Sequence, residues 1–326
     1  MSAFANFKST KTTASSSRAT PPPPDTSALS ALFEPTSVFE ETKESNPPGP
    51  PANSEEDPPA KNLMTDEHVY VRNNCLFGGT LKTFNDMVGT PLLEQFATEY
   101  NPTPAGAERA MSGLLLFGPS GTGKTAGAQA IAHKIGAVFY KMSMADLQVR
   151  NSMARIDALF DVAEAGPQPA VIFLDEADTL LQARAYARVG HFATRFERFA
   201  KNLLVIGATN DPSKIAPKIL TGRFERKILV DNPNLEARRA LVMKQLAQET
   251  DYDMSSGDIT YVAKELAGRS AVNIERVVST AVKRALGGAT LMDFEAAMEQ
   301  EPSDYDGETA EKNKLFDEQH GWRGAW

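Results

Sequence analysis

The chain has 326 residues, 34 Lys and Arg against 42 Asp and Glu for a formal net charge of −8, and 41% hydrophobic residues. No stretch approaches the roughly 18 unbroken apolar residues that a membrane-spanning helix requires, and an acidic chain argues against nucleic-acid phosphates as the chief partner. Cys75 is the single cysteine, which excludes intramolecular disulfides and cysteine-cluster metal sites; it reads as a small buried apolar residue in a reducing compartment, cytoplasm or nucleus.

Eleven of the 21 prolines fall between Pro21 and Pro59, a density that no packed element tolerates. Residues 1–62 therefore read as a disordered Pro/Ser/Thr-rich arm, partly polyproline II. Its first 24 residues carry Lys8, Lys11 and Arg18 and no acid. That composition fits an organelle transit peptide as well as a flexible tether or docking tail.

Beyond the arm, short apolar runs alternate with helical stretches, the pattern of a parallel sheet covered by helices. Strands are expected at Gly113–Phe117, Ala137–Lys141, Ala170–Leu174, Leu203–Ala208 and Lys227–Val230, each nearly continuously apolar, as strands buried on both faces are. After Asn232-Pro233 the pattern turns helical. Ile274, Val277, Val278, Ala281, Val282 and Ala285 recur at helical spacing, and Gly287-Gly288 supplies the stop. Thr290 with Asp293 forms a capping pair for one more helix, which Pro302 closes. The expected fold class is α/β: a five-stranded parallel sheet covered by helices in residues 63–232, then a small all-helical domain in 233–302 and a tail in 303–326.

The strongest chemical signal is Gly118-Pro119-Ser120-Gly121-Thr122-Gly123-Lys124-Thr125, which matches the phosphate-binding loop and sits between an expected strand and helix. Its glycines let successive backbone N–H groups turn toward phosphates, and the helix that follows adds its positive end. Lys124 would contact the β- and γ-phosphates of ATP, and the Thr125 hydroxyl would bind Mg²⁺. A second signal is Val171-Ile172-Phe173-Leu174-Asp175-Glu176, an apolar strand that delivers two carboxylates at its C-terminal end about 50 residues after Lys124. Asp175 is assigned to Mg²⁺ and Glu176 to the attacking water as general base, in the place where ligands sit on open α/β sheets. Asn210, at the tip of the fourth strand, either orients that water or reads the γ-phosphate, or serves as a turn residue before Asp211-Pro212. Arg223 and Arg226 lie on a short loop before the last strand. They form either surface ion pairs or guanidinium groups that reach a neighbouring subunit's nucleotide.

In this order the motifs resemble those of the AAA ATPase family, ring-forming Walker-type machines, over about residues 83–320. Phe84-Asn85-Asp86-Met87-Val88-Gly89 is similar to the family's opening segment, which implies that Asp86 and Gly89 lie at the adenine pocket. Leu114–Thr125, Phe173–Asp178, Ala208–Asn210 and Gly222–Arg226 are similar to Walker A, Walker B, sensor 1 and the arginine-finger segment, and Gly268–Ile274 to the opening of the lid helix. The segment 293–298 and the tail 315–321 resemble the katanin, spastin, fidgetin and ESCRT-disassembling branch. The resemblance implies a homo-oligomeric ring, hexameric as in the family, that remodels or disassembles a protein substrate. The alternatives are a nucleotide-gated scaffold that does no threading and, with less support, a DNA-associated loader.

Three departures bear on that expectation. Leu147-Gln148-Val149-Arg150-Asn151 stands where threading members carry a pore aromatic, so Gln148 replaces it and Leu147 and Val149 would supply a weaker aliphatic grip. The arginine segment has lost one Arg but keeps Arg223 and Arg226, and Ala271 and Asn273 replace the family's Gly and Asp in the lid motif. Tyr186, Arg184 and Arg188 read as a second pore loop or a solvated charge cluster. Trp322 and Trp326 read as packing on the chain's own lid, or as docking on a neighbouring protomer. The four histidines, His68, His133, His191 and His320, share no ligand spacing, so Mg²⁺ is the one metal expected.

Overall fold

In the computed structural model, which describes residues 65–100, 113–167, 169–198, 202–249, 252, 254–285 and 288–323, the apolar runs form five strands. They are β1 (Gly113–Phe117), β2 (Val138–Met142), β3 (Ala170–Leu174), β4 (Leu203–Thr209) and β5 (Arg226–Leu229). The arm 1–62 and Trp326 lie outside the described residues. The strands pair in parallel in the order β2-β3-β4-β1-β5. Every residue of β1, β3 and β4 is buried, which is why those runs are continuously apolar rather than alternating. The outer strands are each displaced by one residue from expectation. Ala137 donates its N–H to Ala132 and so finishes the preceding helix before β2 begins.

The connecting helices are α1 (Asp66–Asn74), α2 (Pro91–Glu99), α3 (Lys124–Lys134), α4 (Ser152–Ala165), the single turn α5 (Ala177–Leu180), α6 (Tyr186–Arg198) and α7 (Pro217–Gly222). Strand alternation divides the core between the two faces. Leu114, Leu116, Phe139, Phe173 and Ile206 pack toward α2 and α3, while Leu115, Tyr140, Ile172, Leu174 and Val205 pack with residues of α4 and α6. Both sheet edges are covered, as unpaired edges invite association. Phe77 N–H donates to Phe139 and Lys141 N–H to Cys75 at the β2 edge, and Trp322 N–H donates to Lys227 at the β5 edge. Cys75 is 1% exposed, and burial pushes its thiol up to about 12.

Helices α8 (Leu235–Glu249), α9 (Ser256–Glu265), α10 (Ala271–Arg284) and α11 (Leu291–Gln300) enclose a separate core around Val242, Leu246, Val262, Ile274, Val278 and Phe294. Ser270 caps α10 by accepting from Asn273 N–H, and Asp293 accepts from Thr290 N–H at the start of α11 as the capping pair predicts. The tail contains α12 (Gly307–His320), which returns to the sheet, where Phe316 meets Phe117 edge-on at 5.0 Å. Trp322 packs edge-on against Phe96 of α2 at 6.0 Å. It therefore belongs to the sheet's core and not to the lid's, because the tail crosses back over β5 before reaching it. No described helix is long and apolar enough to cross a membrane.

Candidate functional site

The loop 118–123 turns sharply between β1 and α3. Gly118 adopts φ +146°, and a Cβ there would overlap the Val230 carbonyl, so no other residue fits. Its N–H donates to the Thr209 carbonyl at 3.2 Å, which ties the loop to the end of β4. Gly121, at φ +74°, lies where a Cβ would stand 2.6 Å from Ser270 Oγ. Inside the loop Thr122 donates to Pro119 O at 2.9 Å, and Lys124 Nζ folds back to donate to Gly118 O at 2.8 Å and Pro119 O at 2.6 Å. Burial lowers the Lys124 ammonium to about 8, against the opposing pull of Asp175 and Asp178.

The carboxylates arrive at the end of β3. Asp175 Oδ2 lies 2.8 Å from Lys141 Nζ, and its Oδ1 accepts from Glu176 N–H at 3.2 Å. Glu176 caps α5 at φ 53°, ψ 47° and is the one non-glycine at positive φ among the described residues. A left-handed glutamate costs about 1–2 kcal/mol, and strain of this kind collects at functional positions. Asn210 is exposed at the tip of β4, and its carbonyl accepts from Asn313 Nδ2 at 3.1 Å. Ser120, Gly121, Gly123, Lys124, Thr125, Asp175, Glu176 and Asn210 line one cavity of about 400 Å³, joined by Asp178, Thr209 and Val272.

A second cleft, of about 350 Å³, lies beside it between Gly89–Leu93, Thr122, Ile228–Asn234, Ala237, Leu241 and Ala271. Its walls are mainly apolar. Two contacts from the helical region after β5 reach this part of the sheet domain: Val272 N–H donates to Gly121 O at 3.2 Å, and Lys244 Nζ donates to Asn85 O at 2.6 Å. Asp86 lines neither cleft. Its carboxylate accepts from Thr83 N–H at 2.7 Å and from the Thr83 hydroxyl at 2.8 Å, bonds that hold its pKa below the usual range and make it the cap of the turn Phe84–Asp86.

The two arginines part company. Arg223 is buried and faces inward, donating to Ala193 O at 3.3 Å and Gly222 O at 2.8 Å and pairing with Glu197. Arg226 is exposed on the edge strand, 5.7 Å from the Trp322 ring. Neither lines the cavity of its own chain. In the segment that replaces the pore aromatic, Leu147 is buried at 5% exposure among Val71, Ile156 and Leu159, whereas Gln148, Val149 and Arg150 are exposed. The expected aliphatic grip therefore loses Leu147, because the 3-10 turn Ala145–Leu147 tucks that side chain into the core. Tyr186 is 80% exposed, and Arg188 donates to Leu180 O at 3.0 Å.

Sequence reasoning missed Lys141, Val272 and Asn313. Lys141 had one available signal, a lone lysine in an apolar strand beside the carboxylate-bearing one. The contribution of Val272 is its backbone N–H, which has no residue signature.

Residues 114–232 match the family described as ATPase family associated with various cellular activities (AAA). A probable spastin homolog of Caenorhabditis briggsae is 35% identical over 181 residues, covering 51% of this chain and 33% of that protein. The ATP-dependent zinc metalloprotease FtsH of Methylibium petroleiphilum is 34% identical over 214 residues, covering 59% of this chain and 34% of its own length. The chain thus spans about a third of these curated relatives. In fold it is similar to the FIGL-1 AAA domain crystallised with ADP, with a TM-score of 0.70 at 23% identity, over 82% of this chain and 100% of that one.

Proposed function

We propose, from the premise that this chain carries an AAA ATPase domain with spastin- and fidgetin-like homologues, that it binds Mg²⁺-ATP, hydrolyses it, and works as a homo-oligomeric ring, hexameric in form, that remodels a protein substrate. The observation that carries this reading is the convergence of Lys124, Thr125, Asp175, Glu176 and Asn210 on one cavity from the tips of three adjacent strands. Lys124 binds the terminal phosphates by leaving its two loop carbonyls, and the loop N–H groups hold the rest of the chain of phosphates. The apolar cleft between Gly89 and Ala237 takes the base. Thr125 and Asp175 open onto the phosphate cavity and offer oxygen donors of the kind a hard cation prefers. When bound, Mg²⁺ supplies charge neutralisation at the phosphates. Glu176 accepts the proton of the attacking water, Asn210 orients that water, and Arg226, exposed on the edge strand, acts on the nucleotide of a neighbouring subunit, while Arg223 is held inward by Glu197 and fixes the segment that carries Arg226. Residues 63–232 and 233–302 serve as nucleotide-binding and lid domains, and the arm 1–62 selects the substrate in a reducing compartment.

The test is a pair of variants. Lys124→Ala should lose nucleotide binding, while Glu176→Gln should keep it, block turnover and enlarge the assembly on light scattering with ATP. Loss of both binding and turnover in Glu176→Gln sinks the assignment. The burial of Leu147 favours a second reading, in which ATP gates assembly without threading. Under that reading Glu176→Gln arrests partner release, and changes at Gln148 and Val149 leave it intact.

A further inference from the structure

Helix α12 is mostly polar, yet it buries an amide. Of its 14 residues only Ala310 and Asn313 are buried, and Asn313 is 1% exposed. Its Nδ2 donates to the carbonyls of Asn210 at 3.1 Å and Thr309 at 2.9 Å, while its Oδ1 is buried without a partner. The two carbonyls fix the orientation, since the reversed amide would face oxygen with oxygen on both sides. A buried acceptor left unpaired is destabilising, so the site uses only the donor half of the amide and carries the other half at a cost to the fold. An amide held on those terms marks a position set by something besides stability.

Asn313 is placed to act on the β4 tip. Asn210 lines the phosphate cavity, and the residue before it is already pinned. The Thr209 carbonyl accepts from Gly118 N–H, and the Thr209 hydroxyl accepts from Asp211 N–H at 3.0 Å. The bond from Asn313 holds the remaining carbonyl, that of Asn210 itself. The same tail begins at the lid, where Asp304 accepts from Ser270 N–H at 3.0 Å and pairs with its hydroxyl, next to the Val272 N–H that reaches Gly121.

We propose that Asn313 is a positioning residue for Asn210: its amide fixes the backbone at the β4 tip, so that the C-terminal helix sets the attitude of Asn210 toward the phosphates. This rests on the hydrolytic reading above. The test uses the full chain as wild type, Asn313→Leu, Asn210→Ala and the double variant, followed by kcat and KM for Mg²⁺-ATP, affinity for a fluorescent ADP analogue, and Tm. Asn313→Leu should keep its affinity and lose about fivefold in kcat, the size of one hydrogen bond, with a Tm lower by no more than about 5 °C. Added to Asn210→Ala it should cost nothing more, because the group it positions is gone. If the leucine variant fails to fold, Asn313→Ala removes the donors without adding volume or charge and should show the same fall in kcat. An unchanged kcat, independent effects in the double variant, or a joint loss of Tm and affinity overturns the proposal. An inactive wild type removes the hydrolytic reading and this inference with it, whereas an active wild type with an insensitive Asn313 removes the inference alone.

Discussion

Lys141 Nζ stands 2.8 Å from Asp175 Oδ2, so a cation on β2 pairs with the carboxylate that the hydrolytic reading assigns to Mg²⁺. Both side chains are partly exposed, which makes the pair weak enough to be displaced. Lys141→Met should therefore raise the preference for nucleotide with Mg²⁺ over nucleotide with EDTA by about threefold. Titration of a fluorescent ADP analogue under both conditions reads the ratio, and an unchanged ratio would mean that Lys141 and the metal do not compete.

The Lys124 ammonium, lowered by burial to about 8, predicts how nucleotide affinity responds to pH. Phosphates favour the charged form, so the bound state has the higher pKa, and above pH 8 binding must take up a proton. Affinity should be flat below about pH 7.5 and should then weaken by up to about tenfold per pH unit as pH rises. Calorimetry in two buffers of different ionisation enthalpy should register the proton uptake at pH 9. Affinity that is level from pH 7 to 9.5 would rule out this account. The sign for stability is the reverse: with its pKa lowered on folding, Lys124 makes the free protein more stable as pH climbs from about 8 toward 10.5.

Much of this arrangement was legible in the chain itself, for definable reasons. A strand buried on both faces must be apolar throughout, so β1, β3 and β4 announced themselves, and a phosphate loop needs glycines at fixed offsets that few other structures demand. Asn313 left no trace, because one amide in a polar helix breaks no periodic pattern and its partner is a backbone carbonyl 103 residues away. Asp86 was read onto the nucleotide by likeness, although Asp three residues after Thr83 is also a capping pair. Leu147 was read as exposed because its segment aligned with a pore loop. A leucine four residues before the helix N-cap Asn151 can as readily turn inward.

Glu176 sits at φ 53°, which asparagine tolerates and glutamate resists. Glu176→Asn should stabilise the free protein by about 1 kcal/mol while abolishing turnover, as expected where function holds a residue in strain. Chemical denaturation and a phosphate-release assay test the two halves separately. A destabilised variant would show that the glutamate side chain contributes more to the fold than its backbone costs.

The arginines are distinguishable because only one is committed to its own chain. Arg223→Ala removes charge-assisted bonds to two carbonyls and Glu197, and should cost about 2 kcal/mol of stability whatever the assembly state. Arg226→Ala should leave Tm within a degree or two of wild type and slow turnover in the assembled form, and mixing it with Lys124→Ala should restore part of the activity at mixed interfaces. No rescue at any ratio would leave Arg226 as a surface partner of Trp322.

Threading and switching separate at the exposed segment after Leu147. Leu147→Ala is a poor probe of a pore, since it empties a buried site and should cost about 2–4 kcal/mol. Gln148→Ala with Val149→Ala changes two exposed side chains outside the core, so Tm and basal turnover should hold. If the ring grips an extended chain there, the double variant loses substrate-stimulated turnover and remodelling together, because Gln148 stands at the aromatic's position with Val149 exposed beside it. If ATP only switches assembly, partner release persists in the double variant and still stops in Glu176→Gln. Persistence of remodelling would remove threading through this segment and leave ATP-gated assembly as the activity to pursue.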